Sequence, residues 1–150
     1  MDTSRSAGID PLERSLVRRL DRPGIIAATV ILAVLVNLAI YLIGAAAGAD
    51  YSFTAGGRQI QVDALTLIGF SLVPLLIGMI VAAVLARRWA WVIPTALIVA
   101  PLLEVGTIFV LLLPAGFAAP STIALAGCHV ALAVVTVLGL LALRNLGRLR

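Results

Sequence analysis

Apolar residues run almost unbroken through four stretches, roughly Gly24 to Ala47, Ala64 to Ala86, Trp89 to Leu113 and Ser121 to Leu143, with short polar or small-residue segments between them. Each stretch is long enough to cross a bilayer core, which takes about 20 residues. Short connections force successive spans to run antiparallel, so the pattern predicts an all-α membrane protein, a four-transmembrane-helix up-down bundle. Residues 23–150 form that transmembrane domain and residues 1–22 a cytoplasmic arm. In the arm, Asp10, Pro11 and Glu13 read as a helix start, and Leu12, Leu16, Val17 and Leu20 share a face opposite Arg14, Arg18 and Arg22. That arrangement suits a short amphipathic helix on an anionic leaflet, or a helical extension of the first span.

Between the first two spans the period changes from helical to alternating. Tyr51 to Thr54 and Gln59 to Val62 flank Ala55, Gly56, Gly57 and Arg58. This predicts an external β-hairpin with Tyr51, Phe53, Ile60 and Val62 capping the bundle, either as a stiff connector or as a surface for a partner. The second connection, around Arg87 and Arg88, is short enough to predict a tight pairing of spans two and three. Gly44, Gly48, Gly69, Gly78, Gly106, Gly127 and Ala131 offer places for close helix contact.

Composition agrees: the 150 residues are 62% hydrophobic and 12% charged, with a mean hydropathy of +1.15. The net charge of +4 does not point to nucleic acid, because the arginines are distributed by topology. Arg5, Arg14, Arg18, Arg19 and Arg22 precede the first span, Arg87 and Arg88 lie between the second and third, and Arg144, Arg148 and Arg150 follow the fourth. Only Arg58 falls on the other side. The positive-inside rule then places both termini in the cytoplasm. All 11 basic residues are arginine, a compositional trait of GC-rich bacteria, so the chain is expected to be multi-pass in a bacterial inner (plasma) membrane. Arg18, Arg19, Arg22, Arg87, Arg88, Arg144, Trp89 and Trp91 serve as interfacial anchors. The run of small residues at 45–49 resembles a signal cleavage site, but the apolar stretch before it is too long for a typical signal core, which favours a retained span.

Candidate chemistry is sparse. Glu104 is the only acid within an apolar stretch, and an intramembrane carboxyl is a functional-site hypothesis by default. Counting inward from the outer helix ends puts Glu104, His129 and Asn37 each about 13 to 14 Å deep, with Ser71 near the same level. These four residues form the expected intramembrane polar cluster, in which Glu104 and His129 share a proton and Asn37 or Ser71 satisfies the remaining groups. Tyr41 and Thr107, one turn outward, extend it. Pro74, Pro94 and Pro101 are candidate helix kinks, because each removes a backbone donor. The cluster reads first as a clasp fixing helix register, second as a proton- or ligand-handling site, and third as separate residues that do not touch.

One His, one Glu and the lone Cys128 cannot supply a tetrahedral metal site, and Cys128 reads as a small packing residue. One cysteine also excludes an intrachain disulfide and a CxxC redox pair. No phosphate-binding glycine loop, catalytic triad or carboxylate pair is present. The chain is therefore expected to be no enzyme and to need no cofactor.

The arginine-rich start, the Gly-Gly outer loop, the Arg87-Arg88 turn, the proline in span three and the segment Leu125 to His129 are shared features. In these the chain resembles a family of small actinobacterial four-helix membrane proteins catalogued as a domain of unknown function. The resemblance implies the topology and directs interest to His129; Glu104 departs from the pattern. The first functional reading is a non-enzymatic accessory or scaffold-like component with a buried polar clasp, its partners the lipid bilayer and a membrane protein or a second copy. The alternative is a small proton-coupled transporter or channel-like oligomer using Glu104 and His129. A lipid-modifying enzyme, the third class, lacks a recognisable nucleophile set.

Overall fold

A computed structural model describes residues 21–148. The expected helix in the arm lies outside these residues. Among the described residues, four helices are long and apolar enough to span a membrane: α1 (Arg22–Ala46), α2 (Ala64–Leu85), α3 (Val92–Thr107) extended by a π-helical turn (Ile108–Leu112), and α4 (Ala119–Arg148). The first two start where a side chain can accept an orphan backbone N–H. Asp21 Oδ1 accepts from Gly24 N at 2.9 Å, with Pro23 in the first turn where it has no donor to lose. Asp63 Oδ1 accepts from Thr66 N at 2.7 Å. Hydrogen bonds from Thr66 hold the Asp63 carboxyl below the ordinary carboxylate range.

The hairpin forms as β1 (Ser52–Ala55) and β2 (Arg58–Gln61), antiparallel, with Phe53 opposite Ile60 and Ala55 opposite Arg58. Gly56 and Gly57 supply the two positive φ angles, 58° and 75°, that a two-residue turn of the I′ class requires. Capping is uneven. Tyr51 is 1% exposed, Phe53 packs on Phe117 with ring centroids 4.8 Å apart, and Val62 is half-buried. Ile60, expected to cap, is 43% exposed: every residue of β2 is exposed, whereas Ser52 and Phe53 of β1 are half-buried.

Tyr51 is the fastener at this end. Its φ of 54° turns the chain out of α1, and its amide donates to Ser121 Oγ at 3.0 Å on α4. The hydroxyl reaches back to the Tyr41 carbonyl at 2.6 Å, with the two rings stacked 4.1 Å apart. Gly44 makes room: a Cβ there would strike the Tyr51 hydroxyl and the Ala124 methyl. Asp50 accepts from the Ser52 hydroxyl at 2.7 Å and from Ser121 Oγ at 3.1 Å. Hydrogen bonds from Ser52 and then Ser121 hold its carboxyl below the ordinary range.

Within the bundle α1 lies against both α4 and α2, and α3 leans mainly on α4. Two apolar clusters fill the interior. One, around Val30, Ala33, Met79 and Leu140, is in the half nearer the arginines; the other, around Tyr51, Leu67, Ala124 and Leu125, is under the hairpin. Spans two and three are not the tight pair that their short connection predicts. They meet thinly, and a groove of about 330 Å³ opens between them. The reason is steric: Gly78, Ala82, Ala96 and Ala100 line the gap, and such small side chains cannot fill it.

The glycines also separate. Gly44 and Gly139 mark close approaches, whereas a Cβ at Gly48, Gly69, Gly78 or Gly106 would meet nothing within 4 Å. At Gly139 a Cβ would come within 2.5 Å of the Thr29 side chain. The tight seam is therefore between α1 and α4, and Gly139, which did not stand out in the sequence, is one of its two narrow points. Trp89 and Trp91 lie exposed in the connection between α2 and α3, beside Arg87 and Arg88.

Candidate functional site: polar clasps between the helices

A lone polar group in an apolar helix must find a partner on another helix, on its own backbone or in water. Here most find another helix. Asn37 Nδ2 on α1 donates to Ser71 Oγ on α2 at 2.8 Å, both buried. Cys128 Sγ on α4 lies 3.6 Å from the Asn37 carbonyl, so the cysteine ties α4 weakly to α1 as well as filling space.

On the other side, Thr136 Oγ1 of α4 donates to Glu104 Oε1 of α3 at 2.7 Å. Three residues further along α3, Thr107 Oγ1 meets His129 Nδ1 of α4 at 3.0 Å. The same Thr107 hydroxyl contacts the Glu104 carbonyl at 2.6 Å. A carbonyl only accepts and a hydroxyl has one proton, so Thr107 donates to Glu104 and accepts from His129. That places a proton on His129 Nδ1.

The expected hydrogen bond between Glu104 and His129 is not made. Thr136 and Thr107 each take one of the two groups, and the single polar layer becomes two clasps at different places. Asn37, Ser71, Cys128 and His129 together line a small cavity of about 70 Å³, which Glu104 does not border. Glu104 instead borders the groove of about 330 Å³ between α2 and α3, with Thr136 beside it. Two atoms remain buried without a hydrogen-bond partner among the described residues: Asn37 Oδ1 and Glu104 Oε2.

The extension through Tyr41 also differs. Its hydroxyl donates to the Val62 carbonyl at 3.1 Å, which commits it to the hairpin and not to the buried cluster. Pro74 and Pro101 lie inside α2 and α3. Pro94 instead falls in the first turn of α3, where its missing N–H would have had no intrahelical partner, so it is no kink. Pro101, one turn before Glu104, leaves the Leu97 carbonyl without its usual partner. Just beyond Glu104 the helix widens into the π-helical turn, where the Leu113 N–H donates to the Ile108 carbonyl five residues back at 2.9 Å. Irregular helix thus brackets the carboxyl on both sides, a pattern often found where a membrane helix presents polar groups.

Thr136 is the site residue that the sequence reading missed. It stands seven residues after His129, two turns along the same face, and that spacing was the available signal. Chemically the set can hold helices in register, and it leaves one carboxyl oxygen, Glu104 Oε2, buried without a partner among the described residues.

A multi-pass membrane protein whose four helices are joined by side-chain hydrogen bonds is the class that fold and site define. The chain belongs to the DUF6069 family, described as a family of unknown function, which it matches over residues 16–145. No curated protein and no solved structure matches it.

Proposed function

We propose that the protein is a non-enzymatic, scaffold-like component of a bacterial inner membrane, in which the intramembrane polar residues act as clasps and the lipid-facing surface receives a membrane-protein partner or a second copy. The observation that carries this reading is the commitment of Asn37, Ser71, His129 and Thr107, and of one oxygen of Glu104, to a neighbouring helix. The arginine distribution supports cytoplasmic termini: Arg22, Arg87, Arg88 and Arg144 lie at one end of the helices and Arg58 at the hairpin end. Labelling of a cysteine placed at Thr54 from outside intact cells tests the orientation; protection of that position reverses it.

The partner is tested by crosslinking in native membranes followed by purification of the intact chain. Recovery of a stoichiometric membrane protein, or of a defined homo-oligomer, is the expected result; recovery of monomer alone contradicts a scaffold.

A second reading, a proton-coupled carrier, draws on the unpartnered Glu104 Oε2 and the groove that Glu104 borders. Proton flux in proteoliposomes separates the two. Under the clasp reading wild type and Glu104→Gln show the same background leak, whereas under the carrier reading wild type conducts and the folded variant does not.

A further inference from the structure

At the arginine end a second groove, of about 390 Å³, runs between α1 and α2. Its mouth is basic and its floor apolar. Arg22 and Arg87 stand at the mouth, and Ile26, Ala27, Leu76 and Ile80 line the groove below them. Arg22 is half-buried, and its Nη1 donates to the Ala83 carbonyl at 2.9 Å, across from its own helix onto α2. This bond holds the guanidinium over the groove while leaving further N–H donors for another acceptor. Arg87 is exposed on the opposite wall. The neighbouring acid, Asp21, has one carboxylate oxygen engaged by the Gly24 amide. Among the described residues, no acidic one lines the groove.

Depth fits the same kind of ligand. Leu76 lies nine residues before Leu85, the last residue of α2, so the groove reaches about 13 to 14 Å inward along the helix. Half of a bilayer core is about 15 Å. A ligand with an anionic head and a long apolar tail matches both ends at once, and the bilayer supplies such molecules at high local concentration.

We propose that the groove between α1 and α2 is a binding site for one anionic phospholipid, with its phosphate between Arg22 and Arg87 and an acyl chain along Ile26, Ala27, Leu76 and Ile80. Two guanidiniums fork onto phosphate oxygens more effectively than onto a zwitterionic headgroup, whose own cation opposes them. Basic pockets between membrane helices recognise acidic headgroups on this principle.

Native mass spectrometry of the full-length protein, equilibrated in micelles with equal phosphatidylglycerol and phosphatidylcholine, tests the site. Wild type should retain one phosphatidylglycerol per chain. Arg87→Gln should lower the preference for it about fivefold, the factor expected for one interfacial arginine, and Arg22→Gln with Arg87→Gln should abolish it. Ala27→Trp keeps both charges, fills the groove and should release the lipid, while Arg144→Gln should leave retention unchanged. Soluble glycerol phosphate should fail to displace the lipid, because it lacks the tail. Equal retention of the two lipids by wild type, unchanged preference in Arg87→Gln together with retention in Ala27→Trp, or displacement by glycerol phosphate would overturn the proposal.

Discussion

The seam between α1 and α4 and the attachment of α3 are built by different means. Along the seam, backbones come close at Gly44 and Gly139, and Tyr51, Ala124 and Thr29 pack into the space that missing side chains leave. Helix α3 has no such close approach, since a Cβ at its Gly106 would meet nothing within 4 Å. Along α3 and its π-helical turn the buried residues are Val92, Ile93 and Leu112, all near the two ends, so its middle turns are not buried in the bundle. What α3 has instead is the pair of bonds from Glu104 to Thr136 and from Thr107 to His129. Lipid tails compete well with apolar side chains, so apolar contact alone gives neighbouring membrane helices little reason to associate. Close packing solves that problem on one side of the bundle and hydrogen bonding on the other.

The contrast is broken most severely by adding volume to the seam. Gly139→Val places methyl groups against Thr29 and Met79 and should lower stability by about 1 to 3 kcal/mol, the usual cost of overpacking. Unfolding in mixed micelles measures it. Gly78→Ala, in open space beside the groove, should stay within about 0.5 kcal/mol of wild type. Equal losses in the two variants would remove the distinction between seam and groove.

Next in size is Thr136→Val, which keeps the shape and deletes the donor to Glu104. Interhelical hydrogen bonds in membranes average about 0.6 kcal/mol and reach about 1.7, and the buried carboxyl places this one towards the upper end. Hydrogen exchange should rise in α3 before it rises in α1 or α2, because α3 is the unit with least other support. Thr107→Val should act on the same helix with a smaller effect, near the average of about 0.6 kcal/mol. Faster exchange spread evenly over all four helices would contradict a local clasp.

The smallest effect concerns the hairpin end. Asp50 has a folded-state pKa below its ordinary 3.8 because Ser52 and Ser121 donate to the carboxylate. Its contribution is therefore fully present above that ordinary value and is lost as the pH falls through the lower folded value. The near-ultraviolet circular dichroism of the Tyr41–Tyr51 stack should weaken across that acid window in wild type and lose this pH step in Asp50→Asn. A signal that changes identically in both proteins would detach Asp50 from the cap.

Much of this architecture was legible in the chain, and the exceptions share a cause. The spans, the Gly56-Gly57 turn and the near-level placement of Asn37 and Ser71 follow from length, φ requirements and counting along a helix, all of which are local. Which helices pack closely is not local. The short turn at Arg87 and Arg88 makes α2 and α3 sequence neighbours, yet small residues facing one another left a groove where contact was expected. Threonine adds a further ambiguity. Thr29 satisfies its hydroxyl on the Ile25 carbonyl of its own helix at 2.8 Å, as membrane threonines commonly do. Thr136 reaches across to Glu104, and nothing in the flanking residues distinguishes the two. Gly139 is similar, since its importance comes from Thr29 and Met79, far away in the chain.

The claim that Glu104 is first a clasp residue is tested most directly by a double-mutant cycle of Glu104→Leu and Thr136→Val, with unfolding free energy in mixed micelles as the readout. A coupling of about 0.6 to 1.7 kcal/mol between the two positions is the predicted result. Strictly additive effects, with no coupling, would mean that the bond between α3 and α4 contributes nothing to the fold and would contradict the account.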